Sequence, residues 1–187
     1  MCDDPPVERV PEAELERTEL GLVPAGPGWF VLNAADALWA ENDDFGLYTN
    51  WEGDARRFDQ LGINVSVLRP GQPMCMYHAE GAQEDFLVLA GEGTLVIEGE
   101  ERPLRAWDLV HCPAWTRHVL VAGGEEPMVV LAVGARVPEP SVLYPRDDAA
   151  LRHRAGVETE TPLPREAYAA SAQDRPVRYP PGTLPDL

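Results

Sequence analysis

The sequence predicts an all-β fold, a barrel or sandwich of short strands, with an arm at each end. Apolar segments recur at intervals of about ten residues through the middle of the chain, separated by Gly and Pro. Proline is concentrated toward the two ends, at residues 1–28 and 137–187, which favours arms over a second hydrophobic core. Residues 29–136 are therefore the predicted compact barrel.

The region before the central strands carries weaker signals. Residues 8–20 place several glutamates around two leucines, which fits either a short acidic helix or a solvated tail. Residues 29–32 and 45–48 each contain a short apolar and aromatic run and predict two strands. A short helix is predicted between them, at residues 34–41.

The central strands are predicted from alternation and from the turns that end them. Residues 63–68 alternate apolar and polar side chains and stop at Pro70-Gly71. Two later segments run into the glycine-containing turns around Gly91 and Gly99. The seven strands predicted in this stretch are at residues 63–68, 74–80, 86–89, 94–98, 109–112, 118–122 and 128–133.

The C-terminal arm, residues 137–187, is rich in proline and poor in apolar residues. Residues 164–170 predict one or two helical turns that begin at proline. Tyr144, Tyr168 and Tyr179 are the aromatic residues of this arm that we expect to anchor it on the barrel or on a dimer partner.

Composition excludes several classes of function. The formal net charge is −17 at pH 7, which disfavours binding to nucleic acid or to an anionic membrane surface. The chain has no lysine, which excludes a Schiff base, a P-loop lysine and a lysine general base. No apolar run reaches the roughly 18 residues of a membrane span, and the first residues lack the pattern of a signal peptide. Three cysteines, Cys2, Cys75 and Cys112, do not make a disulfide framework, so we expect a cytoplasmic protein in which Cys75 and Cys112 are reduced thiols; the alternative is that these two meet in space.

A group of histidines and glutamates lies within the predicted barrel. His78 and Glu80 are two apart on an extended segment, so they project to the same face, and Glu84 opens the next strand. His118 begins a later strand. If these four side chains converge on the barrel lumen, they form a metal site with two nitrogen and two carboxylate donors.

The same residues resemble the two motifs of the cupin superfamily of small β-barrels. The first motif, G(X)5HXH(X)3-4E(X)6G, is similar to Gly71, five residues, Tyr77-His78-Ala79-Glu80, three residues, Glu84, six residues and Gly91. The second, G(X)5PXG(X)2H(X)3N, is similar to Trp107, five residues, Pro113-Ala114-Trp115, two residues, His118, three residues and Ala122. The 15 residues of 92–106 between them match the short spacing of bacterial cupins.

This chain departs from the motifs at several positions. The first histidine falls one position late, at His78, and Glu80 stands where the family has its second histidine. Trp107, Trp115 and Ala122 replace the Gly, Gly and Asn of the second motif. The resemblance implies that His78, Glu84 and His118 are metal ligands. It leaves Glu80 as an oxygen ligand, a general base beside the metal or a charge paired to an arginine.

The resemblance implies a cupin-type double-stranded β-helix, or jelly-roll, barrel that binds a divalent metal in its lumen. Two histidines and two carboxylates suit Mn²⁺, Fe²⁺ or Zn²⁺ without choosing among them. The implied function is a metal-dependent enzyme on a small metabolite, either an oxygenase or an isomerase or lyase, in a homodimer. The alternatives are a non-catalytic small-ligand-binding barrel and a structural barrel that has lost its metal. His111 is expected to be an ordinary strand histidine or a support for the ligands, and the sequence assigns no role to Tyr77 or Gln83.

Overall fold

The fold is all-β, as predicted, with two short helices near the C-terminal end. The computed structural model describes residues 9–53, 57–139 and 141–185; Cys2 and the first residues of the chain lie outside these ranges. The elements are β1 (Leu15–Arg17), β2 (Leu22–Pro24), β3 (Leu38–Asn42), β4 (Gly46–Asn50), β5 (Leu61–Leu68), β6 (Ala79–Glu80), β7 (Glu84–Ala90), β8 (Glu92–Ile97), β9 (Glu100–Arg105), β10 (Leu109–Cys112), β11 (His118–Ala122), β12 (Met128–Ala135), β13 (Val142–Leu143), α1 (Asp148–Arg152), α2 (Pro164–Ala167) and β14 (Arg175–Arg178).

Two antiparallel sheets make the barrel. The larger has seven strands in the order β10-β7-β12-β5-β4-β3-β14, and the smaller has three in the order β11-β8-β9. Two further strand pairs, β1-β2 and β13-β6, lie outside these sheets. Single bridges from Pro73 to Val121 and from His78 to His118 tie the segment before β6 to β11.

The hydrophobic core contains the inward-facing residues of the strands. Val88 and Val130 are fully buried and pair directly across β7 and β12, where their side chains share the inner face of the larger sheet. Leu95 and Leu120 pair in the same way across β8 and β11 of the smaller sheet. All four belong to one continuous cluster, so the core lies between the sheets.

Two of the turns depend on positive backbone φ. Gly91 has φ of 77°, and a Cβ atom there would lie 2.5 Å from the Pro127 carbonyl oxygen. Glu98 and Gly99 form the two-residue loop between β8 and β9 and both have positive φ, the pattern of a type I′ hairpin turn. The turn predicted at Gly99 is confirmed, and it leads into β9, a strand that the sequence analysis did not predict.

The predictions for the region before β5 are only partly correct. The helix predicted at 34–41 is wrong, because β3 begins at Leu38 and pairs with β4. The buried Trp39 lies there on the outer face of the larger sheet, in one cluster with Val65 and Val67 of β5, and this tertiary packing outweighs the helical propensity of the alanines. Residues 29–32 contribute one isolated bridge, and the acidic segment at 8–20 contains β1 instead of a helix or a solvated tail.

The strand predicted at residues 74–80 is reduced to β6. The backbone before it alternates between partners: the Met74 N–H donates to the Leu120 carbonyl oxygen at 2.8 Å, and the Tyr77 N–H donates to the Ala155 carbonyl oxygen at 2.6 Å. A segment that bonds to two different elements cannot keep one ladder. The segment stays extended from His78 to Glu80, however, where the site residues lie.

The C-terminal segment packs onto the barrel. Tyr144 and Tyr168 lie in one cluster with Phe45, and the Tyr179 ring packs 5.5 Å from the Trp39 ring. β14 also joins the larger sheet by pairing with β3. The predicted role of these tyrosines as anchors is confirmed, and α2 lies within the predicted helical segment. The boundaries of the arms at residues 28 and 136 stay a prediction.

Neither helix in the described part of the chain has the length and apolar character required to cross a bilayer.

Candidate metal centre

His78 and His118 are direct partners in an antiparallel β-bridge. His78 immediately precedes β6, and His118 begins β11. The His118 N–H donates to the His78 carbonyl oxygen at 2.9 Å, and the His78 N–H donates to the His118 carbonyl oxygen at 3.2 Å. Residues paired in this way project to the same face, and the two ring centroids are 4.9 Å apart.

Both imidazole rings are held by the same local hydrogen bond. Nδ1 of His78 lies 2.8 Å from the Met76 carbonyl oxygen, and Nδ1 of His118 lies 3.0 Å from the Thr116 carbonyl oxygen. Because a carbonyl oxygen can only accept, each Nδ1 carries a proton. In the neutral form of either ring the lone pair is therefore on Nε2, the atom that faces the barrel interior.

Glu84 supplies a carboxylate oxygen between these two nitrogens. Its Oε2 lies 3.5 Å from Nε2 of His78 and 3.4 Å from Nε2 of His118. One donor atom from each residue lies within 4.8 Å of the other two. Two donors that share one ion at about 2.1 Å are roughly 3.0 Å apart at an octahedral angle and roughly 3.4 Å apart at a tetrahedral angle. The two distances around Glu84 are close to the upper of these values, so a cation fits between the donors with little movement of the side chains.

The Nε2 atom of His118 is buried and has no hydrogen-bond partner among the described residues. The side chain of this residue is 2% exposed. Within the described ranges, its Nε2 is the buried side-chain polar atom that has no hydrogen-bond partner. A buried and unsatisfied nitrogen costs free energy unless something fills the position beside it. A cation bound by the three donors satisfies Nε2, so the residues present fit a metal ion.

Electrostatics divides the three groups into an ion pair and a neutral ring. Burial and the positive charge of His78 lower the pKa of His118, although Glu84 opposes this. Burial also lowers the pKa of His78, but Cys75 and Glu84 outweigh it and raise that pKa well above its usual range. Burial raises the pKa of Glu84, and the hydrogen bond and charge of His78 more than reverse this. Without a cation, protonated His78 thus pairs with ionised Glu84, while His118 keeps its lone pair.

Comparisons with known proteins identify the barrel. The family model described as the cupin domain matches residues 64–134, which include the whole candidate site. This segment is a cupin domain. No curated protein matches the sequence.

Solved structures agree with the cupin fold. The polyketide cyclase RemF from Streptomyces resistomycificus has a TM-score of 0.51 at 16% identity, covering 60% of this chain and 83% of that one. A predicted oxalate decarboxylase from Thermotoga maritima has a TM-score of 0.51 at 18% identity, covering 58% of this chain and all of that one. A protein from Acidithiobacillus ferrooxidans, provisionally named a sugar phosphate isomerase, is 30% identical at a TM-score of 0.46. That alignment covers 52% of this chain, which spans 64% of the length of that protein.

Glu80 lies beside the three donors His78, Glu84 and His118. Its Oε1 is 3.7 Å from Nε2 of His78, and its side chain is 40% exposed, against 17% for Glu84. Burial and the charge of Glu84 raise the pKa of Glu80 above its usual range. Of the four predicted site residues, His78, Glu84 and His118 form the compact group, and Glu80 stands at its open side.

The lumen beside the group is a cavity of about 440 Å³. Several residues that line this cavity were not predicted as site residues. Tyr144 and Tyr168 were predicted only as anchors of the C-terminal arm. Asn64 and Ser66 could have been found, because they are the polar positions of an alternating strand and share the face of the lumen. Asp174 could not, because its distance along the chain is large and no motif marks it. The lining residues are Phe45, Tyr48, Gly62, Asn64, Ser66, Met74, Cys75, His78, Glu80, Glu84, Phe86, Ala132, Val133, Gly134, Tyr144, Tyr168 and Asp174.

The residues without an assigned role lie outside the lumen. His111 bonds to Asp85, with 2.6 Å between Nδ1 and Oδ1, and Gln83 donates to the same carboxylate at 2.6 Å. Tyr77 is fully buried, and its hydroxyl accepts from the Gly99 N–H at 3.2 Å. Their hydrogen bonds are made to other parts of the barrel and not to His78, Glu84 or His118.

The two tryptophans at motif glycine positions keep the backbone that glycine favours. Trp107 has φ of 75° and Trp115 has φ of 69°, and both side chains are largely exposed. Bulky side chains rarely adopt this conformation. The backbone at both positions therefore has the conformation that the glycines of the motif would adopt without strain. The Trp115 N–H donates to the Glu80 carbonyl oxygen at 2.6 Å, which fixes the backbone next to the site.

Proposed function

We propose that this protein binds one divalent transition-metal ion through His78, Glu84 and His118 and acts as a metal-dependent enzyme on a small molecule. The observation that carries the proposal is the unpartnered Nε2 of His118, which lies 3.4 Å from the Glu84 carboxylate deep in the barrel. A purely structural barrel gains nothing from such an atom, because a buried unsatisfied nitrogen is destabilising.

The donor set favours an oxygenase as the reaction class. Two histidines and one carboxylate, with further coordination positions open to the lumen, are the ligands of non-haem Fe²⁺ oxygenases. When bound, the ion would supply a Lewis acid and a place for a second reactant next to the substrate.

The chain's own residues prepare the site for such chemistry. The backbone carbonyls of Met76 and Thr116 hold the two imidazoles in one tautomer, so both Nε2 atoms stay available. The Phe86 ring packs 5.2 Å from the His118 ring, and the Tyr144 ring packs 5.9 Å from the His78 ring. Both rings also line the lumen, so they give the approach to the three donors an apolar wall.

Glu80 is the group that we assign to proton transfer. It lines the lumen, lies 3.7 Å from His78 and is more exposed than the three donors. A carboxylate in that position can exchange protons with both a bound molecule and solvent. This observation favours an isomerase or lyase as the second candidate, since those reactions require a proton to move and do not consume dioxygen.

Elemental analysis tests the metal, and spectroscopy tests the reaction class. Protein purified without chelator is expected to hold about one equivalent of Fe, Mn or Zn, which Glu84→Gln loses and Asp85→Asn retains. After anaerobic loading with Fe²⁺, nitric oxide is expected to give the paramagnetic iron–nitrosyl signal of a site with open positions. Absence of metal in the wild type contradicts the proposal. An ion that binds nitric oxide but supports no turnover with any substrate panel points to the non-catalytic ligand-binding barrel.

We extend the proposal to a cytoplasmic homodimer, the assembly and location that the resemblance implies. Light scattering on the purified chain tests the assembly, because a monomeric mass at micromolar concentration contradicts it.

A further inference from the structure

Apart from His78, the charged residues that line the cavity beside the three donors are all carboxylates. Three carboxylates line it: the mostly buried Glu84, the half-exposed Glu80 beside it and the exposed Asp174. No arginine is among the described residues that line it, and the chain has no lysine. The guanidinium of Arg136 lies near Gly62, but it donates to both carboxylate oxygens of Glu52, which neutralise it. A divalent ion offsets two of the three negative charges, so the loaded cavity still carries an excess of one.

Asp174 is built into the cavity wall. Its Oδ2 accepts from the Tyr48 hydroxyl at 2.8 Å, and its Oδ1 accepts from Nδ2 of Asn42 at 2.7 Å. These bonds use neutral donors, so they hold the carboxylate in place without cancelling its charge. An anionic ligand in the lumen would face this charge together with that of Glu80.

One part of the cavity surface is aromatic. The Phe45 and Tyr168 rings meet edge to face at 5.3 Å, and the Tyr144 and Tyr168 rings at 5.8 Å. The Met76 N–H donates to the Tyr168 hydroxyl at 3.1 Å, which fixes this cluster against the segment that carries His78. Such rings bind another flat ring by edge or offset contact.

A second part of the surface is small and uncharged. Gly62 and Gly134 are direct partners across β5 and β12, and Asn64 and Ser66 follow on the same face of β5. A Cβ atom at Gly134 would lie 3.8 Å from Cγ of Glu84, in van der Waals contact, so the lack of a side chain at this glycine leaves the lumen wider next to Glu84. Asn64 and Ser66 offer neutral hydrogen bonds to hydroxyl or carbonyl oxygens.

We infer that the lumen takes an uncharged ligand with a flat aromatic or conjugated ring that carries hydroxyl or carbonyl oxygens, and that it rejects phosphorylated and carboxylated molecules. The inference rests on the proposed metal site, because the ring oxygens are placed toward the ion. The aromatic cluster accommodates the ring, the glycines leave room for it, and the excess negative charge excludes anions.

A matched pair of probes tests whether the cavity rejects anionic ligands. Protocatechuamide and protocatechuate have the same ring and the same two hydroxyls and differ in one negative charge. With the Zn²⁺-loaded protein, calorimetry is expected to show that the neutral amide binds at least about tenfold more tightly than the carboxylate. Equal or tighter binding of the carboxylate, or measurable binding of glucose phosphate, overturns the inference.

A second pair tests the ring. Benzohydroxamic acid and acetohydroxamic acid present the same chelating group, with and without an aromatic ring. Tighter binding of the benzo compound by about tenfold is expected. Equal affinity removes the aromatic part of the inference while leaving the metal site intact.

A third experiment introduces a positively charged side chain into the cavity. Asn64→Lys is expected to improve binding of protocatechuate by about tenfold relative to the neutral control Asn64→Gln, with little change for the amide. No gain in a folded Asn64→Lys protein overturns the electrostatic explanation. If Zn²⁺ itself does not bind the wild type, the proposed function has failed. If Zn²⁺ binds and the probes behave otherwise than expected, only the ligand class has failed.

Discussion

Two histidine–carboxylate groups lie on opposite faces of the same strand. Glu84 and Asp85 are consecutive in β7, so Glu84 faces the lumen with His78 and His118, whereas Asp85 faces solvent with His111. The outer pair has the shorter contact, 2.6 Å, against 3.4 Å and 3.5 Å inside. By distance alone, the outer pair is the stronger interaction.

The difference between the two groups is their surroundings. The outer His111 and Asp85 side chains are 54% and 30% exposed, and one carboxylate meets one histidine. Inside, one carboxylate oxygen lies between two buried nitrogens, one of which has no partner. The longer inner distances leave space for the cation that we propose the three donors share, whereas the outer pair is already satisfied. Residue type therefore does not distinguish the proposed metal site from the outer pair, but burial and spacing do.

The largest expected effect compares one histidine from each group. His118→Ala removes a buried donor and is expected to weaken Zn²⁺ binding by about a hundredfold or more. His111→Ala, its matched control, is expected to leave the affinity unchanged. Competition calorimetry with a chelator measures both. If the two variants lose affinity equally, the distinction between the inner and outer groups is wrong.

The second prediction concerns the pH dependence of metal binding by the inner group. The pKa of His78 is raised, so near neutrality its imidazolium must lose a proton before a cation can bind. Affinity is therefore expected to fall by about tenfold for each unit of pH decrease while His78 stays protonated in the free protein. Calorimetry in buffers of different ionisation enthalpy is expected to show about one proton released. Affinity that is independent of pH below neutrality contradicts the assignment of His78.

The substitution Glu80→Gln is expected to have an effect of intermediate size on metal affinity. Because Glu80 lies beside the three donors, Glu80→Gln is expected to reduce metal affinity by less than about tenfold but to lower turnover by about a hundredfold. Asp85→Asn, which removes a charge from the outer face, is expected to change neither. A collapse of metal retention in Glu80→Gln would make Glu80 a fourth ligand, and unchanged turnover would remove it from the chemistry.

The smallest expected effect concerns stability. The exposed pair between His111 and Asp85 is screened by water and salt, so Asp85→Asn is expected to change the free energy of unfolding by under about 0.5 kcal/mol. Urea denaturation of the metal-free protein measures this change. A loss above about 1 kcal/mol would mean that the outer pair is structural despite its exposure.

The sequence predicted the convergence of His78, Glu84 and His118 better than it predicted the elements around them. The period of two along a strand places His78 beside Glu80, and the turn before His118 is short, so local geometry was sufficient for these residues. The inner and outer roles of Glu84 and Asp85 follow from the same alternation. Tyr168 and Asp174 reach the lumen through packing over more than 80 residues of chain, which no local pattern encodes. For the same reason β3 was predicted as a helix, since the burial of Trp39 depends on strands that come later.

The most direct test of the central claim is a crystal structure of the metal-loaded protein with anomalous data at the absorption edge of the bound ion. The account predicts one strong anomalous peak within about 2.0–2.3 Å of Nε2 of His78, Nε2 of His118 and the Glu84 carboxylate. A peak at His111 and Asp85, or none in the lumen of protein that elemental analysis shows to be loaded, would contradict it.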